Sequence, residues 1–398
     1  MVVSKKSMMV FFSLLIMIMP EYFSNMIPGY RVLMNFVSVL IVVYLFKHCV
    51  RPSRFMWCVI IFYIITLFST FFNGKFDYHD LISQLKIIIT LMLVEDYLKS
   101  KRFDGINVIY YIIAFYVFID ICSVMLFPDG LYQSTTVWNE WYSSSASQWI
   151  LGNKNNHIMW YLLVILLSYI KYIGKKNIFN KLLVYLTLIG CEVSALILQS
   201  STSMVVILIV AIGIIIALFE RWSNFHIVNM HTLNVIYCIL MILVMLGMTQ
   251  FLSPIVEGVF DKNLTFSNRT YAWAQSIVQI RQKPILGWGI ISSDEAREAL
   301  GNMAYVNAHN QWLQTLWQGG IVLLIVLILA VIVISIKVNR LNNSNLRVVM
   351  MLVLFSYLIE MIFEVQLRST ISWMIFLIIY NAHLFDQKER IKYEDCVN

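Results

Sequence analysis

Arg269 and His309 are the two residues of this sequence best suited to chemistry on a phosphorylated substrate. Both lie in a polar stretch that interrupts an otherwise almost continuously apolar chain. A guanidinium group can hold a phosphate through two hydrogen bonds, and Arg281 follows Arg269 closely enough to add positive charge. An imidazole can take the proton of a hydroxyl group, and the dipole at a helix start favours the neutral form of His309. We therefore expect any reaction to take place here.

Each of these residues also has an interpretation without chemistry. Arg269, at the start of a surface helix, could extend its guanidinium to the lipid headgroups. His309 could cap a helix or contact the same headgroups. The two residues alone leave both interpretations open.

Ionisable side chains inside apolar segments are further candidates, because each costs about 2.5 to 3.5 kcal/mol at the centre of a spanning helix. They are Lys86, Asp120, Glu192, Glu360 and Glu364. All are predicted in the outer halves of their spans, which suggests a hydrated cavity open to the outside. Glu364 and Arg368 could instead form an i, i+4 ion pair that only orients a helix end. For Asp120 and Glu192 a buried structural hydrogen bond is favoured.

The composition predicts a membrane protein. Of the 398 residues, 60% are hydrophobic and 13% are charged, which is more apolar surface than a soluble core can bury. We expect an all-α polytopic protein whose residues 1–398 form a single membrane domain. At roughly 20 residues per spanning helix, about twelve spans are predicted. They cover 8–27, 30–46, 55–72, 79–96, 106–127, 156–172, 180–199, 203–219, 231–251, 310–337, 347–364 and 369–385.

The charged, cysteine and histidine residues limit the possible partners. The net charge of +7 is spread over short loops without a polybasic block, so no nucleic acid is expected as a partner. The six cysteines lack CxxC spacing and the seven histidines lack ligand spacing. Neither a metal site nor a disulfide framework is therefore indicated. No cofactor is expected.

Loop charges predict the orientation of the chain. With the amino terminus in the cytoplasm, most loop lysines and arginines lie on the cytoplasmic side, as the positive-inside rule requires. Both termini are then cytoplasmic, and two outer loops are long, namely 128–155 and 253–309. The apolar segment after Lys5 and Lys6 lacks a cleavage site and is interpreted as a retained first span.

The second outer loop contains one predicted surface helix. Ser267 or Asn268 could cap it at Arg269, and Pro284 with the glycines after it should end it. Its predicted apolar stripe consists of Trp273, Ala274, Ile277, Val278 and Ile280. Asn307 is expected to cap the next span. The first turns of that span carry Gln311, Gln314 and Gln318, which should line protein or water because lipid would not satisfy them.

Four short motifs follow one another along the chain, and their order and spacing together are more specific than any one of them. They are GNKNN at 152–156, SSTS at 200–203, Arg269 with Trp273 and PILGWG at 284–289, and HN at 309–310 before a glycine pair. Together they resemble the O-antigen ligase and polymerase superfamily, in particular the Wzy-type repeat-unit polymerases of capsule or exopolysaccharide. The likeness covers about residues 150–320 in motifs and the whole chain in architecture.

This resemblance implies a metal-independent glycosyltransferase in a bacterial cytoplasmic membrane. Such an enzyme transfers a glycan from undecaprenyl diphosphate to an acceptor hydroxyl outside the cytoplasm. Arg269 matches an arginine that holds the diphosphate, and His309 matches a histidine proposed to activate the acceptor. The predicted substrate-binding residues are Arg281, Asn155, Asn156, Asn310, Ser201, Glu364 and Arg368. Many members have an arginine where Ser201 stands, so one diphosphate contact is missing here or is supplied by Arg281 or Arg368.

Several functions are compatible with this pattern. A polymerase would use a second lipid-linked repeat unit as the acceptor, and a ligase would use a lipid core. The missing arginine at Ser201 fits the ligase less well. A lipid-linked oligosaccharide flippase would show inverted repeats and charges at the midplane, and a scaffold of an export complex would need no chemistry. Besides the lipid-linked oligosaccharide and membrane lipids, a chain-length regulator and a flippase are the expected partners.

Overall fold

The computed structural model describes residues 5–139, 142–219, 229–245, 269–302 and 305–386. These ranges contain fourteen α-helices and one two-stranded antiparallel sheet. The helices of the first half are α1 (Lys5–Met17), α2 (Glu21–Met26), α3 (Tyr30–Lys47), α4 (Arg54–Phe72), α5 (Tyr78–Leu126), α6 (His157–Gly174) and α7 (Ile178–Ile197). Those of the second half are α8 (Ser201–Leu218), α9 (Met230–Met245), α10 (Arg269–Gln282), α11 (Ser293–Leu300), α12 (Gln311–Asn339), α13 (Ser344–Phe363) and α14 (Thr370–Tyr380).

The bundle is arranged around α6 and α14. Nearly every residue of these two helices is buried, whereas α3, α4 and α8 bury one face each. Their outward faces expose large apolar side chains such as Phe46, Phe72 and Leu208. A helix that is apolar all round belongs in an interior, and exposed apolar faces on a bundle of this kind suit a bilayer. The protein is therefore a multi-pass membrane protein.

Fewer spans are seen in the described part of the chain than the sequence predicts. Within the described ranges, eight helices are long and apolar enough to cross a membrane, and Met230–Met245 and Thr370–Tyr380 are shorter apolar helices. The predicted first span, 8–27, is wrong because α1 ends at Met17 and Pro20 occupies the N-cap of α2. Proline has no amide proton to continue a helix, so it separates the two elements.

Two predicted spans are joined in α5. This element has 49 residues and is interrupted at Arg102, where φ is 45° and ψ is −118°. A continuous helix of that length would extend about 74 Å, more than twice the roughly 30 Å hydrocarbon core of a bilayer. The break at Arg102 therefore separates the predicted spans 79–96 and 106–127 with almost no loop between them.

α12 is interrupted as well, at Gly320, where φ is 61° and ψ is −162°. The carbonyl of Trp317 accepts a hydrogen bond from the amide of Trp288 at 2.9 Å. The carbonyl of Gln318 accepts one from the amide of Gly289 at 2.8 Å. The PILGWG segment thus satisfies backbone groups that the helix break leaves without helical partners, as a buried helix end requires.

The first predicted outer loop contains a β-hairpin that the all-α prediction did not include. Strand β1 (Tyr132–Asn139) pairs antiparallel with β2 (Tyr142–Gln148), with Tyr132 opposite Gln148. After the hairpin, the indole of Trp149 donates to the carbonyl of Phe127 at 2.8 Å. This bond ties the end of the hairpin to the end of α5, close to the GNKNN motif.

Candidate active site

Glu364 brings together three segments that are distant in sequence. Its Oε1 accepts hydrogen bonds from the guanidinium of Arg269 and, at 2.6 Å, from the amide Nδ2 of Asn155. Its Oε2 lies 3.5 Å from Nδ1 of His309. The Glu364 side chain is only 10% exposed and that of Arg269 17%. In such surroundings an ion pair is much less screened than at a surface.

The ion pair between Glu364 and Arg368, which the sequence left open, does not form. Helix α13 ends at Phe363, and Glu364 has an extended backbone with φ of −141° and ψ of 156°. The four-residue spacing therefore no longer places the two side chains on one helix face. Glu364 pairs with Arg269 instead, across the structure.

Arg269 is the first residue of α10, and Ser267 and Asn268, its predicted caps, lie outside the described residues. The helix ends at Gln282, just before Pro284, as predicted. Its buried residues are Ala272, Trp273 and Ser276, and it packs on α12. Ala274 and Val278, on the other side of the predicted stripe, are exposed. The buried face turns Arg269 toward the end of α13.

His309 lies in the turn before α12 and has a left-handed backbone, with φ of 46°. Its amide donates to Oδ1 of Asn307 at 2.7 Å, and its carbonyl accepts from the indole of Trp273 at 3.2 Å. The ring of Tyr305 makes an edge contact with the imidazole, with 5.9 Å between ring centroids. A non-glycine residue adopts this conformation only where several contacts enforce it, and such residues concentrate at functional sites.

Tyr305 itself is a poor candidate for the base. It lies in the same turn, and burial raises the pKa of its phenol. The phenol therefore stays protonated at neutral pH and can donate a hydrogen bond. His309 is the better proton acceptor of the two, because a neutral imidazole offers a ring nitrogen with a free lone pair.

Asn310, not Asn307, caps α12. The Asn310 side chain accepts hydrogen bonds from the amides of Trp312 and Leu313 at 2.9 and 3.0 Å and is fully buried. Asn307 instead fixes the amide of His309. The predicted substrate contact of Asn310 finds no support in this geometry, because its carboxamide oxygen is occupied by the helix start.

A cavity of about 530 Å³ opens beside this cluster. We call it the larger cavity; the residues that line it include Asn155, Asn156, His309, Glu364, Gln366 and Arg368. Its walls come from the GNKNN loop, the turn before α12, the loop between α13 and α14, and the end of α1. Its volume lies within the range of about 300–1,000 Å³ that is usual for ligand pockets.

Arg368 is the cation of this cavity that has no acidic partner among the described residues. The carbonyl of Gln366 accepts its backbone amide at 2.8 Å, while no described carboxylate pairs with its guanidinium. Part of the Arg368 side chain is exposed to the cavity. The part that packs against protein loses hydration, and this desolvation lowers the pKa of the guanidinium. The guanidinium nevertheless stays charged, because the ordinary pKa of arginine is far above neutrality.

The loop that carries Arg368 is positioned by a glutamine of α12. Oε1 of Gln311 accepts the backbone amides of Gln366 and Leu367, each at 2.9 Å. Gln314 accepts the amide of Ala308 at 2.9 Å in the same way. The prediction that the glutamine face of this helix meets protein rather than lipid is confirmed. The supporting role of these glutamines toward particular loops was not visible in the sequence.

The GNKNN loop is fixed from beneath by a buried carboxylate. Asp120 of α5 is fully buried and accepts the amide of Leu151 at 3.0 Å and the hydroxyl of Tyr161 at 3.1 Å. The predicted structural role of Asp120 is confirmed. The loop above it presents Asn155 and Asn156 to the larger cavity.

Residues 182–328 match the family model described as O-antigen ligase, Wzy_C. This chain contains an O-antigen ligase family domain. The matched region extends from α7 into α12 and includes Arg269 and His309, whereas Asn155, Glu364 and Arg368 lie outside it. No curated protein matches the chain. The family resemblance drawn from the motifs is confirmed.

Four predicted site residues of this domain, Ser201, Arg269, Arg281 and Asn310, are not among those that line the larger cavity, although Arg269 pairs with Glu364 in its wall. Arg281 is exposed near the end of α10, about 18 Å along the helix axis from Arg269. Ser201 begins α8 and lines neither the larger cavity nor the other polar cavities. Of the two arginines that could replace the contact missing at Ser201, only Arg368 reaches the cavity. Within the described ranges, no group of three or more His, Cys, Asp or Glu side chains is placed to hold a metal ion.

Proposed function

We propose that this protein is a polysaccharide polymerase that joins lipid-linked oligosaccharide repeat units on the outer face of the cytoplasmic membrane. The family domain supports a membrane enzyme that acts on lipid-linked glycans. One observation carries the proposal: Arg368, which lacks an acidic partner among the described residues, and the imidazole of His309 line the same cavity. A guanidinium suits the diphosphate of such a substrate, and an imidazole suits the hydroxyl that must be activated.

The proposed reaction exchanges one bond for another. The acceptor hydroxyl gives its proton to His309, and its oxygen forms a bond to the anomeric carbon of the donor. The bond between that carbon and the diphosphate breaks, and the leaving diphosphate takes the electron pair. Arg368 and Arg269 stabilise the charge that develops on the leaving group. The proton on His309 returns to solvent before the next cycle.

Glu364 has two tasks in this proposal. Near Nδ1 of His309, at 3.5 Å, its carboxylate orients the imidazole and stabilises the imidazolium that forms when the hydroxyl is deprotonated. It also pairs with Arg269, which lies behind it and is not itself among the residues that line the cavity. When the diphosphate binds, Arg269 can be shared between Glu364 and the phosphate oxygens, because a guanidinium has five N–H donors.

The sidedness and partners belong to the same proposal. The excess of basic residues in the predicted cytoplasmic loops supports cytoplasmic termini and a cavity that opens outward. A carrier with its headgroup in the outer leaflet would then meet Arg368 and His309 directly. A flippase that delivers the carrier and a regulator of chain length are the expected protein partners.

The ligase is the second candidate, because the family description that matches residues 182–328 is that of O-antigen ligase. The two activities share the donor and differ only in the acceptor. The cluster of Arg269, Glu364 and His309 acts on the donor bond and on any hydroxyl, so its geometry serves both.

Deletion of the gene in its host, followed by separation of lipid-linked and surface glycans by size, tests the proposal. Single repeat units with no longer chains are expected. Long chains that remain on the lipid diphosphate would replace the polymerase with the ligase. Repeat units trapped on the cytoplasmic face would make the protein a flippase, and an unchanged glycan profile would exclude all three activities.

A further inference from the structure

A second, smaller cavity of about 240 Å³ lies on the other side of Arg368. It is enclosed by α4, the start of α5, the first turns of α12 and the loop after α13. Val365 and Arg368 line both cavities. The two spaces are therefore neighbours that share one cationic side chain, and the smaller one takes no part in the function proposed above.

The smaller cavity contains hydrogen-bonding groups that no described residue satisfies. Gln84 lines it and is only 8% exposed, yet its buried Oε1 has no hydrogen-bond partner. The carboxamide of Gln318, from α12, also lines the cavity without a partner among the described residues. Buried polar atoms are normally paired, because an unpaired one costs roughly 1–3 kcal/mol. For Gln84, whose oxygen is closed off in this structure, a turn of the carboxamide toward a ligand in the cavity would remove this cost.

The charges of the smaller cavity narrow the class of ligand. Asp80 and Arg368 both line it, and no ion pair joins them. An anion would meet the carboxylate and a cation would meet the guanidinium, so a neutral ligand fits best. Amide, carboxylate and guanidinium groups together complement hydroxyl groups, each of which can donate and accept.

Shape agrees with this chemistry. Phe62 and Tyr63 supply an aromatic wall, and the Tyr63 hydroxyl is already occupied by the indole of Trp373 at 2.8 Å. An aromatic wall beside polar groups suits a ring that has C–H bonds on one side and hydroxyls around its edge. The volume is below the range of about 300–1,000 Å³ of pockets for drug-sized molecules, so it accommodates a single ring.

We propose that the smaller cavity binds one sugar residue, held by Gln84, Gln318 and Asp80. This inference rests on the proposed function in one respect: the sugar belongs to the glycan whose diphosphate or reacting end lies in the larger cavity. Arg368 borders both spaces, so neighbouring parts of one glycan could occupy the two cavities on either side of its side chain. The smaller cavity would then make the protein selective for a sugar residue of the glycan that does not itself react.

The test uses the full chain in lipid nanodiscs with methyl glycosides of common hexoses and N-acetylhexosamines at millimolar concentration. Saturation-transfer NMR measures glycoside binding to the wild type, to Gln84→Leu and to Gln318→Leu. Gln282→Leu is the matched control, because Gln282 is exposed at the end of α10 and lines neither of the two cavities. Pyrophosphate binding, followed by phosphorus line broadening, reports on the larger cavity in the same samples.

We expect at least one glycoside to bind the wild type and the Gln282→Leu control. Gln84→Leu and Gln318→Leu should each weaken this binding about tenfold, since each loses a hydrogen-bonding amide, while pyrophosphate binding is unchanged. The proposal is overturned if no glycoside binds or if binding survives both substitutions, and loss of binding in Asn155→Leu would then put the sugar in the larger cavity. Absence of pyrophosphate binding in the wild type would instead contradict the role given to Arg368 in the proposed function.

Discussion

The carboxylate of Glu364 lies 3.5 Å from the imidazole Nδ1 of His309 while its other oxygen accepts a hydrogen bond from Arg269. One acidic side chain thus contacts both residues in which we expect the chemistry. The Nδ1 atom of His309 is buried and makes no hydrogen bond to a described residue. A small movement of either side chain would turn this approach into a hydrogen bond and fix which ring nitrogen faces the cavity.

Replacement of His309 by glutamine should therefore slow glycosyl transfer far more than it weakens binding of the lipid carrier. General base catalysis contributes roughly a hundredfold or more to a rate, and a glutamine retains hydrogen bonding without a basic nitrogen. Single-turnover kinetics and carrier binding, measured separately on the purified protein, check this. An unchanged rate would reduce His309 to a structural residue of the turn.

Glu364→Gln should slow the same reaction while His309 remains in place. A carboxylate beside the ring stabilises the imidazolium that forms during proton transfer, and a neutral carboxamide stabilises it less. Single-turnover kinetics on the purified variant measure the loss. A rate equal to that of the wild type would contradict both tasks given to Glu364.

Arg269→Ala should abolish chain growth at a normal protein level. The loss of a fixed cation at a developing charge costs roughly a hundredfold to a thousandfold in rate. The same change leaves Glu364 partly buried without its cation, at a cost in stability of roughly 3 kcal/mol. The double variant Arg269→Gln with Glu364→Gln separates these effects, because it should recover stability without recovering activity.

Arg281→Ala is the matched control for that experiment. Arg281 belongs to the same helix but is exposed near its far end. Its removal should leave the lengths of the surface glycans unchanged. Loss of chain growth in this variant equal to that in Arg269→Ala would contradict the separation of the two arginines described above.

Arg368→Gln should weaken binding of pyrophosphate without lowering stability. Its guanidinium pairs with no described carboxylate, so its removal strands no buried charge. Charge-assisted hydrogen bonds to a phosphate are the strong ones, and a loss of about tenfold or more in affinity is expected. Isothermal titration with pyrophosphate measures it, and equal affinity in the variant would assign the anion to Arg269 alone.

Local signals in the sequence predicted much of this arrangement. The end of α10 and the turn at PILGWG follow from residues within a few positions of one another, and the burial of Asp120 follows from the apolar residues around it. The pairing of Glu364 could not be predicted in this way. Its four-residue distance from Arg368 favours an ion pair within a helix, and only the end of α13 at Phe363 releases Glu364 to reach Arg269.

Other features escaped prediction because they depend on distant backbone. The hydrogen bonds from Trp288 and Gly289 to the interrupted helix α12 join segments that no local pattern connects. The role of Gln311 toward the loop of Arg368 is of the same kind. The first span was mispredicted for a local reason. Apolar residues on both sides of Pro20 favoured one continuous span, but the proline separates two helices there.

The last prediction concerns the contact between the PILGWG segment and helix α4. Gly289 has a φ of 79°, and a Cβ there would overlap the backbone of Thr70 in α4. Gly74 has a similar φ of 70° with nothing within 4 Å of a Cβ. Both alanine variants should lose about 1 kcal/mol to the left-handed backbone, and Gly289→Ala should lose roughly 2 to 4 kcal/mol in total because α4 must also move. Thermal unfolding of the two variants in nanodiscs measures the difference, and equal midpoints would show that the segment does not pack against α4 as described.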